Sequence, residues 1–274
     1  MDNINSNIKT NMELKEINKM VDATNDSRWS NLFIKGDSYK NYSTLIVIAT
    51  RGNKTASKKC ECGKEVCIDF QPGFHPWVVE GWKRLVKPMN VPIVELVISG
   101  HEVGEAYEEA ITQLLTNPQL KQFNYVLFLE DDMLIPYMPD SFGPLIEMFK
   151  HLEKYDVASG LYWTKGEPSL PLIYGDGNID SPAPFAVNID WRPGDVVNVN
   201  GCGMGFTLMK RSIFEDERIS RPFFKSVNEI GPQGPVSYTQ DLFFYEKIKK
   251  LGYTICVDTG IRIGHLDVAT DIVY

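Results

Sequence analysis

The stretch Tyr125–Met133, YVLFLEDDM, places three consecutive acidic residues directly after a short apolar run. The apolar part, Tyr125–Leu129, has the length and composition of a strand that is buried on both faces. Repulsion between adjacent carboxylates is relieved by a hard divalent cation such as Mg²⁺ or Mn²⁺, which prefers oxygen ligands. Glu130, Asp131 and Asp132 therefore indicate a cation site at the end of a strand. A solvated turn in which Asp132 caps a helix is the structural alternative.

The segments on both sides of this stretch alternate between strand and helix patterns. Short apolar runs rich in β-branched residues predict strands, and apolar residues at helical intervals predict helices. Strand patterns cover Leu45–Ala49, Ile93–Ile98, Val157–Leu161 and Tyr253–Val257, and helix patterns cover Pro76–Lys87, Val103–Leu115, Ser141–Lys154 and Gln240–Leu251. This alternation predicts a parallel or mixed sheet whose functional site lies beyond the carboxyl ends of its strands.

The pattern changes after Gly166, where proline and glycine become frequent. The segments PSLPLIYG, APFAVNID and VVNVN predict short antiparallel strands on a side that faces the acceptor. Residues Ser220–Tyr238 are too irregular for a regular element and are long enough for an active-site lid. Because no repeat or composition break divides the chain, we expect one domain over residues 41–274, preceded by an arm or leading helix over residues 1–40.

Composition and charge restrict the class of protein. The chain has 274 residues, of which 43% are hydrophobic and 23% are charged, as in an ordinary globular protein. Its net charge of −8 disfavours general binding to a nucleic-acid backbone, so an anionic ligand needs a bound cation or a local basic patch. No apolar run of about 18 residues predicts a membrane span. The polar amino terminus and the five cysteines favour a reduced, cytoplasmic location.

Two further residues carry side chains suited to chemistry. Asp241 falls in the first turn of a predicted helix, where a carboxylate also stabilises the helix dipole without any catalytic role. His265 follows the final predicted strand, and its imidazole can complete a cation site that is otherwise built from carboxylates. A hydrogen-bonded structural histidine is the alternative for that position.

Several ordered motifs together resemble the GT-A glycosyltransferases, in particular the family 2-like nucleotide-sugar transferases. The resemblance covers about residues 43–267 and rests on LIVIATRG, VISGHEVGEAYEEAI, YVLFLEDDMLIP, VASGLYW, NGCGMGFTLMKRSIFE, RPFFK, TQDLFFYEKIKKLGYTICVD and GHLD. It implies an α/β fold of the GT-A type, which is a Rossmann-like mixed sheet flanked by helices that binds a nucleotide-diphospho-sugar.

The resemblance also implies roles for the residues that would bind the donor. Thr50 and Arg51 match positions that meet the nucleotide base and ribose. Glu130 and Asp131 would reach the ribose or a second ligand position. Gly203, in a glycine-rich segment, would let the backbone approach the donor sugar, and a strand kink or bulge is the structural alternative.

The catalytic and metal-binding positions are implied in the same way. Asp132 matches the metal-binding acid of a DxD-like motif, and His265 matches a residue that joins the metal and the diphosphate. Asp241 matches the carboxylate that acts as base towards the acceptor hydroxyl. Gln240 departs from the pattern, because many members have Glu there. The acceptor motif of the processive synthases also has no counterpart, so a processive polymerase is disfavoured.

The implied reaction moves a sugar from a nucleotide-diphosphate donor, with UDP-sugars favoured, to a hydroxyl acceptor. It would depend on Mn²⁺ or Mg²⁺ and, with Asp241 as base, would invert the anomeric centre. A glycan, a protein, a metabolite or a modified nucleobase all remain open as acceptor. A nucleotidyltransferase of similar fold is a nearby alternative.

A cysteine cluster stands outside the resemblance. Cys60, Cys62 and Cys67, followed by His75, offer four ligands for a structural Zn²⁺, although one residue between paired cysteines is tighter than usual. A reduced surface loop is the alternative. Because lysines are frequent over residues 54–64, this insertion also suggests a non-catalytic, zinc-stabilised module that binds nucleic acid or protein.

Overall fold

A computed structural model describes residues 42–50, 56–59, 65–68, 74–89, 91–136, 138, 143–231 and 234–274. Residues Tyr42–Tyr274 form one compact unit. The predicted arm at residues 1–40 lies outside the described residues. Among the helices of the described part, none has the length and hydrophobicity needed to cross a membrane.

Strands and helices follow one another along the chain. The strands are β1 Thr44–Thr50, β2 Ala56–Lys59, β3 Glu65–Ile68, β4 Ile93–Ser99, β5 Tyr125–Glu130, β6 Met133–Leu134, β7 Val157–Leu161, β8 Ile173–Tyr174, β9 Val196–Val199, β10 Gly201–Cys202, β11 Phe206–Lys210, β12 Val227–Gly231, β13 Gly234–Tyr238, β14 Ile255–Arg262, β15 Gly264–Asp267 and β16 Ile272–Val273. The α-helices are α1 Pro76–Trp82, α2 Val103–Thr116, α3 Pro144–His151 and α4 Gln240–Lys250.

A seven-stranded mixed sheet forms the centre, in the order β4–β1–β5–β11–β7–β14–β9. Strands β4, β1 and β5 are parallel, and β14 is parallel to β7, whereas β11 is antiparallel to both of its neighbours. The predicted fold class, an α/β fold with a mixed sheet flanked by helices, is confirmed. Because Ala49 pairs with Glu130, strands β1 and β5 end side by side and deliver their following residues to the same edge.

The core lies on both faces of this sheet, which explains the nearly continuous apolar runs in the sequence. Alternate residues of β1 point to opposite faces. Leu45 and Val47 belong to the cluster that includes residues of α2 and α4, whereas Ile46 and Ile48 belong to the cluster that includes residues of α3. Each of these four side chains is at most 2% exposed.

Two helix predictions are too long. The helix predicted over Pro76–Lys87 ends at Trp82, and the one predicted over Ser141–Lys154 spans Pro144–His151. Gly143 has a φ of +101°, which no residue in a right-handed helix adopts, and so it marks the beginning of α3. Periodicity alone extends through these ends because apolar residues continue beyond the last helical turn.

The prediction that Ser220–Tyr238 contains no regular element is wrong. Strands β12 and β13 pair as an antiparallel hairpin, with Val227 opposite Tyr238 and Gly231 opposite Gly234. Proline and glycine suggested a break, but proline is tolerated in a two-stranded ribbon because both strands are edges. The strand predicted in APFAVNID is also wrong, since that segment contributes only an isolated bridge between Val187 and Tyr174.

Candidate functional site

The end of the sheet brings together residues that are far apart in the sequence. Glu130 is the last residue of β5, and β6 then pairs with β15, so that Met133 lies opposite His265. The backbone N–H of Leu266 donates to the carbonyl oxygen of Asp132 at 2.9 Å. As a result, Glu130, Asp132 and His265 each place one ligand atom within 4.8 Å of the others. β5, the following turn and β15 thus bring these three candidate ligands together.

The ring of His265 is oriented by a backbone carbonyl. Its Nδ1 lies 2.6 Å from the carbonyl oxygen of Trp163. A carbonyl oxygen can only accept, so Nδ1 carries the proton and a neutral ring presents the lone pair of Nε2. That Nε2 lies 3.7 Å from Oδ2 of Asp132. Two acceptor atoms that face one another in this way suit a shared cation, and a carbonyl partner of this kind is typical of metal-binding histidines.

Asp132 supplies the test of whether a cation fits. Its Oδ1 atom is buried and has no hydrogen-bond partner among the described residues. Its Oδ2 atom accepts from the ammonium group of Lys165. Burial works to raise the pKa of Asp132, but His265 in its protonated form and Lys165 outweigh it and lower this pKa from 3.8 to about 2. An ionised carboxylate with one unpartnered buried oxygen is suited to bind a divalent cation.

Glu130, the last residue of β5, is the third candidate ligand. Burial, followed by the charge of Asp132, raises its pKa from 4.5 to about 8, although a hydrogen bond from Tyr107 opposes this shift. The Tyr107 hydroxyl donates to Oε1 of Glu130 at 3.0 Å. A cation between Glu130 and Asp132 would remove the repulsion between their carboxylates. The three donor groups therefore fit a hard cation such as Mn²⁺ or Mg²⁺, with imidazole as the one nitrogen ligand.

The first strand ends beside the acidic triplet. The Thr50 hydroxyl donates to Oδ2 of Asp131 at 2.6 Å, which ties the end of β1 to the turn after β5. Both residues were predicted to bind the nucleotide, and the structure brings them together. Arg51, which was also predicted to bind the nucleotide, lies outside the described residues.

Asp241 lies in the first turn of α4 and is only 8% exposed. Its Oδ1 accepts from the backbone N–H of Leu242 at 2.8 Å. Burial raises its pKa, while hydrogen bonds from the Thr239 side chain and from Leu242 act in the opposite direction. Its charge also contributes to the raised pKa of Glu130, so the two carboxylates share one electrostatic environment. A carboxylate with a raised pKa is suited to accept a proton from a hydroxyl group.

Gly203 lies against a tyrosine. A Cβ atom at this position would lie 2.1 Å from the hydroxyl oxygen of Tyr162, which is closer than any real contact. The same hydroxyl oxygen accepts from the backbone N–H of Gly205 at 2.6 Å. The side chain that requires glycine here is therefore Tyr162, and the role of Gly203 towards a donor sugar stays a prediction.

The predicted zinc ligands are only partly described. Cys60 and Cys62 lie outside the described residues, and the backbone of Cys67 is paired with Ser57 between β2 and β3. The Nδ1 atom of His75 accepts from the backbone N–H of Trp77 at 3.3 Å and thereby caps α1. Its Nε2 atom lies 3.6 Å from Asp271. The zinc site stays a prediction.

Sequence reasoning missed two residues that support the site. Lys165 forms an ion pair with Asp132, which lies 33 residues earlier in the sequence. The hydroxyl group of Tyr107, on α2, donates a hydrogen bond to Glu130. Lys165 belongs to none of the quoted motifs, and Tyr107 lies within VISGHEVGEAYEEAI, for which no role of the tyrosine was predicted. The position of Tyr107, on the face of α2 that packs against the sheet, is the one signal that points towards the end of β5.

No protein-family model and no curated protein matches the chain. Among solved structures, it is similar to protein A197 from STIV, with 20% identity, coverage of 84% of this chain and 92% of that chain, and a TM-score of 0.47. It is also similar to GalNAc-T7 crystallised with UDP, GalNAc and Mn²⁺, with 10% identity, coverage of 83% and 44%, and a TM-score of 0.44. A third structure, 4-diphosphocytidyl-2C-methyl-D-erythritolsynthase from Anaerococcus prevotii DSM 20548, has 13% identity, coverage of 86% and 92%, and a TM-score of 0.40.

Proposed function

We propose that the chain is a metal-dependent, family 2-like glycosyltransferase that moves a sugar from a nucleoside-diphosphate donor, with UDP-sugars favoured, to a hydroxyl acceptor. One observation carries the proposal. Nε2 of His265 faces Oδ2 of Asp132 at 3.7 Å, beside Glu130 and a buried carboxylate oxygen without a partner among the described residues. A cation held there would allow a chain with a net charge of −8 to accept a diphosphate.

The residues then divide the work of the reaction. Asp132, His265 and Glu130 would hold the cation, and the Trp163 carbonyl keeps the His265 ring in the tautomer that presents Nε2. When bound, the cation stabilises the negative charge that develops on the leaving nucleoside diphosphate.

Asp241 would act on the acceptor. As the acceptor oxygen bonds to the anomeric carbon and the bond from that carbon to the diphosphate breaks, the hydroxyl proton passes to the Asp241 carboxylate. Burial keeps the pKa of this carboxylate raised, which strengthens it as a base. Attack from the face opposite the diphosphate would invert the anomeric centre.

Release of the nucleoside diphosphate from a panel of nucleotide sugars, measured with Mn²⁺, tests the proposal. We expect slow hydrolysis of at least one UDP-sugar. In Asp132→Asn the rate of this release should fall about 100-fold or more, because a neutral amide cannot neutralise the charge of the cation. Glu153→Gln, which changes an exposed carboxylate elsewhere, is the matched control.

Three results would overturn the proposal: no release from any donor, equal release by Asp132→Asn, or release that EDTA leaves unchanged. Release of pyrophosphate from a nucleoside triphosphate would assign the site to nucleotidyl transfer instead.

A further inference from the structure

The segment between β8 and β9, residues 175–195, contains no helix or strand among the named elements, yet its conformation is fixed. Asn200 is fully buried, and its Nδ2 donates at 2.8 Å to the carbonyl oxygens of both Asn178 and Pro184. Nδ2 of Asn188 donates at 2.8 Å to the carbonyl oxygen of Gly175. A long segment without regular structure is uncommon in a compact domain and is often functional. Here its backbone is held in place by the buried amide group of Asn200 and the partly buried amide group of Asn188.

Residues of this segment and of β9 line an open surface cleft with a volume of about 610 Å³. That volume lies within the range of small-molecule sites. Polar side chains that can donate or accept hydrogen bonds line it, namely Asp176, Ser181, Asn188, Asp190 and Asn198. The cleft is therefore large enough for one or two sugar rings and offers polar groups along its wall.

The loop that forms the cleft packs against the start of α4. Gly201 lies between them, since a Cβ atom there would be 3.1 Å from Leu242 and 3.3 Å from Phe185. Tyr174 directly precedes the lining residue Gly175 in the sequence. Burial is the larger cause of its raised pKa, and the charge of Asp241 is the second cause. The loop that contributes to the cleft is thus packed, through Phe185 and Gly201, near Leu242 in the first turn of α4, which also carries the proposed base.

The charge of the lining selects among ligands. Asp176 and Asp190 are its charged residues, and no lysine or arginine is among the lining residues. Lys249 lies close enough to interact electrostatically with Asp176, whereas Asp190 has no ion pair among the described residues. A phosphate group would be repelled here. Carboxylate and amide groups are suited to bind hydroxyl groups, because hydrogen bonds to charged acceptors are stronger than neutral ones.

Apolar surface completes the cleft. Val187 and Ile189 line it and are 37% and 75% exposed. A sugar ring has C–H faces that can cover such side chains while its hydroxyl groups bind the polar wall. We propose that this cleft binds the acceptor and that the acceptor is an uncharged carbohydrate. The inference rests on the proposed function and narrows its substrate class.

Ligand-observed NMR on the full chain tests this inference. The probes are uncharged disaccharides (maltose, cellobiose, lactose and N,N′-diacetylchitobiose) and two phosphates, glucose 1-phosphate and glucose 6-phosphate. We expect at least one disaccharide to bind and neither phosphate to bind. Asp190→Asn should weaken disaccharide binding about tenfold, because a hydrogen bond to a charged acceptor is lost. Asp180→Asn lies in the same segment outside the lining and should bind like the wild type.

Binding of no disaccharide would overturn the inference, as would phosphate binding at equal strength or equal behaviour of the two variants. Asp190 and Asp180 are both exposed and lie outside every strand, so we expect both variants to fold, which a thermal unfolding curve verifies. A separate titration of the wild type with UDP and Mn²⁺ distinguishes the two proposals. Disaccharide binding without UDP binding would contradict the proposed function alone, and the reverse would contradict only the acceptor cleft.

Discussion

Substitution of Lys165 by alanine should tighten Mn²⁺ binding. The Lys165 ammonium group pairs with Oδ2 of Asp132, the oxygen that faces His265 across 3.7 Å. A cation that binds between these atoms must displace the ammonium group. In Lys165→Ala the competitor is gone, while the three candidate ligands Glu130, Asp132 and His265 are retained.

The magnitude follows from the exposure of the pair. A fully exposed ion pair contributes about 0.2–1 kcal/mol. The Lys165 and Asp132 side chains are 32% and 13% exposed, so the attraction is screened less than at the surface. We therefore expect a gain of about 1–2 kcal/mol, which corresponds to about 5- to 30-fold tighter binding.

Isothermal titration calorimetry with Mn²⁺ at pH 7.5 measures this change. Lys150→Ala is the matched control, because Lys150 also pairs with a carboxylate, that of Glu147 at 2.8 Å, but on α3. The control should bind Mn²⁺ like the wild type. Unchanged or weaker Mn²⁺ binding by Lys165→Ala would refute the reasoning that lysine and metal compete for one carboxylate oxygen.

Two further predictions concern stability. In the folded protein, burial opposes ionisation of Asp156, but hydrogen bonds from Thr254 and Lys210 outweigh it and lower its pKa. Its stabilisation is therefore present above the unfolded pKa of about 3.9 and is lost as the pH falls through the lower folded pKa. Asp156→Asn should lower the free energy of unfolding, measured with urea at pH 7, by about 1 kcal/mol. The difference in this free energy between variant and wild type should shrink in acid, and a difference that is independent of pH would contradict the prediction. Gly203→Ala should lower the free energy of unfolding by about 1–3 kcal/mol, because its Cβ atom would collide with Tyr162 at 2.1 Å, and an unchanged unfolding midpoint would show that the contact is relieved without cost.

The central strands could be predicted from the sequence because their signal is local. In β1, five consecutive apolar residues, Leu45–Ala49, are buried on alternate faces, so a short apolar run was sufficient evidence. The pairing of β12 with β13 was missed because Gly231 and Gly234 suggested a break in structure, whereas they pair with each other.

The site was only partly predictable. Asp132 and His265 were singled out by position and resemblance, but their meeting depends on the pairing of β6 with β15, which no local pattern encodes. Lys165 could not be found in this way, since its contact with Asp132 arises only after β5 and β7 have taken their places in the sheet. Local patterns locate strand ends, and the packing of distant segments decides which side chains meet there.

Calorimetric titration of Mn²⁺ into the wild type, into Asp132→Asn and into Glu153→Gln tests the central claim most directly, because it needs neither donor nor acceptor. We predict that the wild type and Glu153→Gln bind one Mn²⁺ with equal affinity. Asp132→Asn should bind it at least about tenfold more weakly, because the ionised ligand is lost. Absence of Mn²⁺ binding by the wild type, or equal binding by Asp132→Asn, would contradict the assignment of Glu130, Asp132 and His265 as a metal site.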